Sequence, residues 1–172
     1  MDHDDPLVRA SSLRALARLD TLTAEDLIAR IDDPDPEVRR TIAELSTRHH
    51  EVPVHRLIDD PDLFVAEMAA WCLGERHPVT DEELTCLIDC TTAHSEQVVR
   101  EACAAALGSL GDPRGLPAIL AACRDKPAVR RRAILALAPF EGDEVQQALE
   151  SALQDKDWQV RQNAEILLQP RD

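Results

Sequence analysis

The sequence predicts an all-α chain, a solenoid of stacked helical hairpins, and three observations carry that prediction. First, Val-Arg recurs at Val8-Arg9, Val38-Arg39, Val99-Arg100, Val129-Arg130 and Val160-Arg161, with Val65-Ala66 as a sixth copy that keeps the valine alone. The valines stand 30, 27, 34, 30 and 31 residues apart, and self-similarity at such a period marks a repeat array. Second, four and eight residues after each valine come Ser12/Leu16, Ile42/Ser46, Ala69/Leu73, Cys103/Leu107, Ala133/Leu137 and Ala164/Leu168. That spacing lines one face of a helix. Third, apolar residues make up 44% of the 172, yet there are two Trp, two Phe and no Tyr. The core is therefore built from Ala, Leu, Ile and Val, residues that let helices approach closely.

Each element has its own signals. Three residues before the valines stand Asp5, Asp35, Asp62, Glu96, Lys126 and Asp157, followed by Pro6, Pro36, Leu63, Gln97, Pro127 and Trp158. Aspartate then proline is a helix start, because the carboxylate accepts orphan N–H groups and proline fits the first turn. In the fourth copy Ser95 is expected to cap instead, so these B helices start near residues 5, 35, 62, 95, 126 and 157. Gly74 and Gly108 fall where a helix end would use them. Between B helices lies a second amphipathic segment, A, at 27–31, 54–58, 84–88, 116–120 and 145–149. The 34-residue interval carries four extra residues, Cys90 to Ala93, about one more helical turn. The 27-residue interval has a tight link at Glu51-Val52-Pro53. Because the chain opens on a B helix, the expectation is about eleven helices, five and a half repeats, and one domain over 1–172.

The run Leu107-Gly108-Ser109-Leu110-Gly111-Asp112-Pro113-Arg114-Gly115-Leu116-Pro117-Ala118-Ile119-Leu120, with the Val-Arg positions, resembles HEAT-like repeats of the phycobilisome-lyase type. The resemblance covers nearly the whole chain and implies the fold strongly. It implies function weakly, since that repeat serves adaptors, lyases and enzyme appendages alike.

The arginines after the valines, Arg9, Arg39, Arg100, Arg130 and Arg161, lie about 100° round the helix from them, at the border of the buried stripe. They read as a structural ladder, each reaching an aspartate at a neighbouring helix start, from the set Asp5, Asp35, Asp62 and Asp157. A basic row gripping an anion is the other reading, but a binding site rarely needs one residue in every unit. Cys103 and Cys72 occupy slots held elsewhere by alanine and read as inert core residues. Cys86, Cys90 and Cys123 lack a paired Cys-x-x-Cys pattern, so no metal is expected. His49-His50-Glu51 and His55 read as a solvated loop. HEAT-type di-iron hydroxylases carry His-Glu pairs in several repeats, whereas this chain has one. Neither a nucleophile–base pattern nor a glycine-rich phosphate loop occurs, so no cofactor and no catalytic residue is assigned.

Outward positions of the B helices are two and six after each valine: Ala10/Arg14, Arg40/Glu44, Glu67/Trp71, Glu101/Ala105, Arg131/Leu135 and Gln162/Ile166. From these, Arg14, Arg40, Glu44, Glu67, Trp71, Glu101 and Arg131 are the candidate partner-binding residues on a concave face. Trp71 leads, since indole is a frequent anchor, with packing against a neighbouring helix as its alternative. Trp158 is expected to cover a helix end.

Nineteen Lys+Arg against 33 acidic residues give a net charge of −14. That charge repels phosphate and excludes nucleic acid and anionic membranes as partners. The acidic start reads as neither a signal peptide nor a transit sequence, and odd, scattered cysteines point to a reduced cytoplasmic compartment. The expectation is a non-catalytic interaction scaffold or adaptor binding a protein or peptide of basic character, as a monomer or weak end-to-end dimer. Two alternatives stand beside it: an inhibitor or immunity-like protein whose acidic surface fills a basic groove, and, from the resemblance, a bilin-lyase-like enzyme.

Overall fold

The computed structural model describes residues 3–169. Met1 and Asp2 of the acidic start, Pro170 after the last B helix, Arg171 and Asp172 lie outside the described residues. The chain divides into two compact units, Met1–Arg76 and His77–Asp172. Among the described residues the regular elements are ten α-helices and three short 3-10 turns.

In the first unit the helices are α1 (Pro6–Arg18), α2 (Ala24–Ile28), α3 (Pro36–Leu45) and α4 (Leu63–Gly74). Asp5, Asp35 and Asp62 cap α1, α3 and α4, their carboxylates accepting from the N–H groups of Leu7 (2.9 Å), Glu37 (2.9 Å) and Phe64 (3.0 Å). α1 packs on α3 and α3 on α4, burying Leu13, Val38, Ile42, Val65, Ala69 and Leu73. The stripe of α1 turns toward α3, so Ala10, expected to face outward, is buried, and Val8 is exposed.

The segment around Val54 departs from expectation. Instead of an A helix it forms one 3-10 turn, Val54–Leu57, which leaves ten α-helices where eleven were expected. Pro53 sits at ψ 64°, outside helical space, and the 27-residue interval leaves no room for another turn. Val52, Val54, Leu57 and Ile58 are nonetheless buried, while His50 and Glu51 are exposed. Fully buried Arg76 holds this loop, its Nη2 donating to the carbonyls of Ser46 (3.1 Å), His49 (3.2 Å) and Val52 (3.1 Å).

In the second unit three hairpins follow: α5 (Asp81–Ala93) with α6 (Gln97–Leu110), α7 (Leu116–Ala122) with α8 (Pro127–Ala136), and α9 (Asp143–Ala152) with α10 (Trp158–Leu168). α6, α8 and α10 pack in a row around Val99, Cys103, Leu107, Val129, Ala133, Leu137, Val160 and Ala164. The four extra residues form the last turn of α5. Two local expectations change. The α6 N-cap is Glu96, which makes no side-chain cap bond; Ser95 does not cap. His94 supplies the turn instead, its Nδ1 accepting from the Glu96 N–H at 3.0 Å. Gly108 does not end α6: that role falls to Gly111, at φ +62°. Gly108 lets α6 meet α8, since a Cβ there would lie 2.6 Å from the Cα of Ala136.

Candidate functional site

The repeated arginines build one bond pattern. Arg9 grips Asp33 with two N–H groups (2.9 and 2.7 Å), and Arg39 grips Asp60 in the same way (2.7 and 2.9 Å). In the second unit Arg100 holds Asp125 (2.6 and 3.0 Å) and Arg130 holds Asp155 (2.8 and 2.7 Å). Each also points Nη1 at a carbonyl just before its own helix: His3 and Asp4, Asp33, His94 and Ser95, and Asp125 respectively. One guanidinium thus ties the start of its own helix to the start of the next B helix. Arg161 makes the carbonyl half of the pattern, with Asp155 (2.7 Å) and Lys156 (3.2 Å).

The partners are not the cap residues expected for them. The carboxylates of Asp5, Asp35 and Asp62 turn inward onto their own helix N–H groups, which removes them from the arginines' reach. Asp157 caps α10 and also binds an arginine, but that arginine is Arg131. Asp33, Asp60 and Asp155 stand two residues before a cap and accept its N–H as well, at 3.0, 2.9 and 2.8 Å; Asp125 stands one before Lys126. The signal was the doubled acid in Asp33-Pro34-Asp35, Asp60-Pro61-Asp62 and Asp155-Lys156-Asp157. Where Ala66 replaces the arginine, the start of the next B helix carries His94 instead of an aspartate. Burial pushes Asp33 and Asp60 up, but the hydrogen bonds from Arg9 and Arg39 outweigh it and hold both carboxyls below their ordinary range. At Asp125 and Asp155 the bonds from Arg100 and Arg130 dominate in the same direction.

The outward residues fall into separate groups. In the first unit Arg14 pairs with Glu37 (3.1 Å) and Glu44 (3.3 Å), and Arg40 with Glu37 (2.7 Å). Arg14 and Arg40 are thus committed to acids, and Glu37, absent from the sequence reading, is their hub; its three-residue spacing from Arg40 was the available signal. On α4, Phe64, Glu67 and Trp71 share one face. Phe64 is 70% exposed and Trp71 48%, and Glu67 makes no ion pair among the described residues. A hollow of about 330 Å³ beside Phe64 is lined by Asp35, Pro36, Glu37, Arg40 and Asp62.

In the second unit Arg131 is clamped to Asp157, which that bond holds down at about 2. Glu101 faces Arg132 at 3.8 Å. Leu135 and Ile166 are exposed, as is Trp158 at the start of α10. A groove of about 740 Å³ lies between α7 and α9, with Leu120 and Cys123 in its wall. Burial pushes the Cys123 thiol up to about 12. Cys90, by contrast, is in hydrogen-bonding contact with Cys86 and Cys103. Among the described residues no group of three or more His, Cys, Asp or Glu is arranged to hold a metal ion, and no helix is long and apolar enough to cross a membrane.

The HEAT repeats family matches this sequence over residues 24–108 and 84–169. No curated protein matches it. Among solved structures, the chain is similar to one in the complex of CpcE and CpcF of phycocyanin lyase from Nostoc sp. PCC7120, at 21% identity over 85% of this chain and 98% of that one, TM-score 0.66. An engineered protein is similar at 18% identity, over 97% and 93%, TM-score 0.63. So is a designed armadillo repeat protein in complex with the peptide (KR)4, at 16% identity, over 92% and 85%, TM-score 0.60. At these identities the likeness is one of fold.

Proposed function

We propose, from the premise that this chain belongs to the HEAT repeats, that it is a non-catalytic scaffold binding a basic segment of a partner protein, and that α4 supplies the anchor. The carrying observation is the face Phe64–Glu67–Trp71: two exposed rings with an unengaged carboxylate between them. Aromatic faces attract Lys and Arg head groups, and Glu67 adds a charged acceptor. The hollow next to Phe64 brings in Asp35, Glu37 and Asp62. A net charge of −14 steers basic segments toward the molecule. By contrast Arg14, Arg40 and Arg131 serve to hold the faces rigid, each already engaged by acids.

The designed neighbour bound to (KR)4 suggests the probe. In a Trp158→Phe background Trp71 is the single indole, and its fluorescence reads the titration of (KR)4 directly. A saturable change is expected, with affinity falling roughly tenfold or more for Phe64→Ala or Glu67→Ala, about 1.4 kcal/mol, and weakening with added salt. Calorimetry on Trp71→Leu gives the same comparison without the fluorophore. If (KR)4 binds that variant as tightly as the parent, or loses affinity only with Leu120→Arg in the α7–α9 groove, the α4 face is not the site.

A further inference from the structure

α5 is the A helix with an extra turn, and that turn carries Cys90. Its half-buried sulfur meets two others: Cys86, one helical turn back on α5, and Cys103, fully buried on α6. The Cys103 slot holds alanine in three other repeats, at Ala69, Ala133 and Ala164, so packing does not call for sulfur there. Cys90 thus has a thiol neighbour on each helix where the repeat departs from its pattern.

We propose that Cys90 and Cys103 form a peroxide-reactive dithiol, Cys90 attacking and Cys103 resolving. The roles follow from access: a peroxide can reach half-buried Cys90 but not Cys103. They follow also from reach. Cβ atoms four residues apart on a helix lie about 5–6 Å from each other, beyond the roughly 3.5–4.5 Å of a disulfide, so Cys86 cannot close on Cys90 while α5 stays helical. Cys86 serves instead as a hydrogen-bond donor. Bonds from Cys103 and Cys86, with the field of His94, outweigh burial and hold the Cys90 thiol below its ordinary value, which favours its thiolate.

The chemistry balances with hydrogen peroxide as the oxidant. The Cys90 thiolate attacks one peroxide oxygen; an S–O bond forms, the O–O bond breaks, and hydroxide leaves and is protonated to water. Cys90 is oxidised by two electrons to the sulfenic acid, and the peroxide is reduced. The Cys103 sulfur then attacks Cys90; an S–S bond forms, the S–O bond breaks, and the departing hydroxide takes the Cys103 proton as a second water. A dithiol reductant reverses the product.

The test uses the reduced, folded full chain exposed to a small excess of hydrogen peroxide, acid-quenched, alkylated and digested with trypsin. Cleavage after Arg76, Arg100 and Arg114 puts Cys90 and Cys103 on different peptides. The expected product is peptide 77–100, alkylated on Cys86, linked to 101–114, about 2 Da lighter than those two peptides with Cys90 and Cys103 as thiols. The link should persist in Cys86→Ser and vanish in Cys90→Ser. In Cys103→Ala, a residue the other repeats already accommodate, Cys90 should stop at a sulfenic acid captured by dimedone. No link in a protein still folded by circular dichroism would overturn the proposal. So would a link that survives Cys90→Ser, or Cys123 oxidised as fast as Cys90.

Discussion

Arg100 shows what a single side chain contributes to a repeat. Its guanidinium makes four hydrogen bonds on two sides at once, two to the Asp125 carboxylate and one each to the carbonyls of His94 and Ser95. The planar fork makes this possible, and lysine could not reproduce it. Arg100→Ala therefore strips Asp125 of its counterion and leaves two carbonyls short of donors. An expected loss of roughly 2–4 kcal/mol in denaturant unfolding follows, with Arg100→Lys recovering only a minor part. Arg132→Ala, whose contact with Glu101 is long and solvent-facing, should change stability by less than about 0.5 kcal/mol. Equal effects from the two would mean that the ladder contributes no more than a surface pair.

At the scale of the element, legibility tracked how local the cause was. Helix starts were readable because Asp5, Asp35, Asp62 and Asp157 cap through residues two positions on. The extra turn of α5 was readable because four residues are a turn. The 3-10 turn at 54–57 was not, since apolar spacing there satisfies burial without an α-helix. Nor was the ladder's acid half, because the choice between Asp33 and Asp35 depends on which carboxylate the cap leaves available across a helix pair. Trp71 is legible as an outlier of composition; Phe64 is not, because it precedes the valine from which the outward positions are counted. Gly108 is the sharpest case: its motif reads as a helix end, yet it is a contact between helices. Gly108→Ala gains about 1 kcal/mol of helix propensity but drives a methyl into the Ala136 backbone, where nothing flexible can give way. Overpacking of about 1–3 kcal/mol or more should win, lowering Tm by a few degrees in calorimetry. A rise in Tm would show that α6 and α8 separate freely.

For the whole molecule, two electrostatic effects oppose each other as pH falls. With a charge of −14, protonating carboxylates toward the pI near 4.7 relieves self-repulsion and stabilises the fold. The ladder acids work the other way. Asp33, Asp60, Asp125 and Asp155 all sit below the ordinary carboxylate value when folded. Their contribution is complete above the unfolded value of about 3.9 and is lost as pH drops through the folded one. Salt separates the two, because it screens the diffuse repulsion far more than the partly buried pairs. At moderate salt, Tm should be level from neutral pH to about 5 and then fall steeply below about 4. At low salt a rise toward the pI should precede that fall. Replacing the four aspartates by asparagine should lower the plateau and flatten the acid limb together. An acid limb unchanged in that variant would place the molecule's acid sensitivity in other carboxylates and strip the ladder of its electrostatic role.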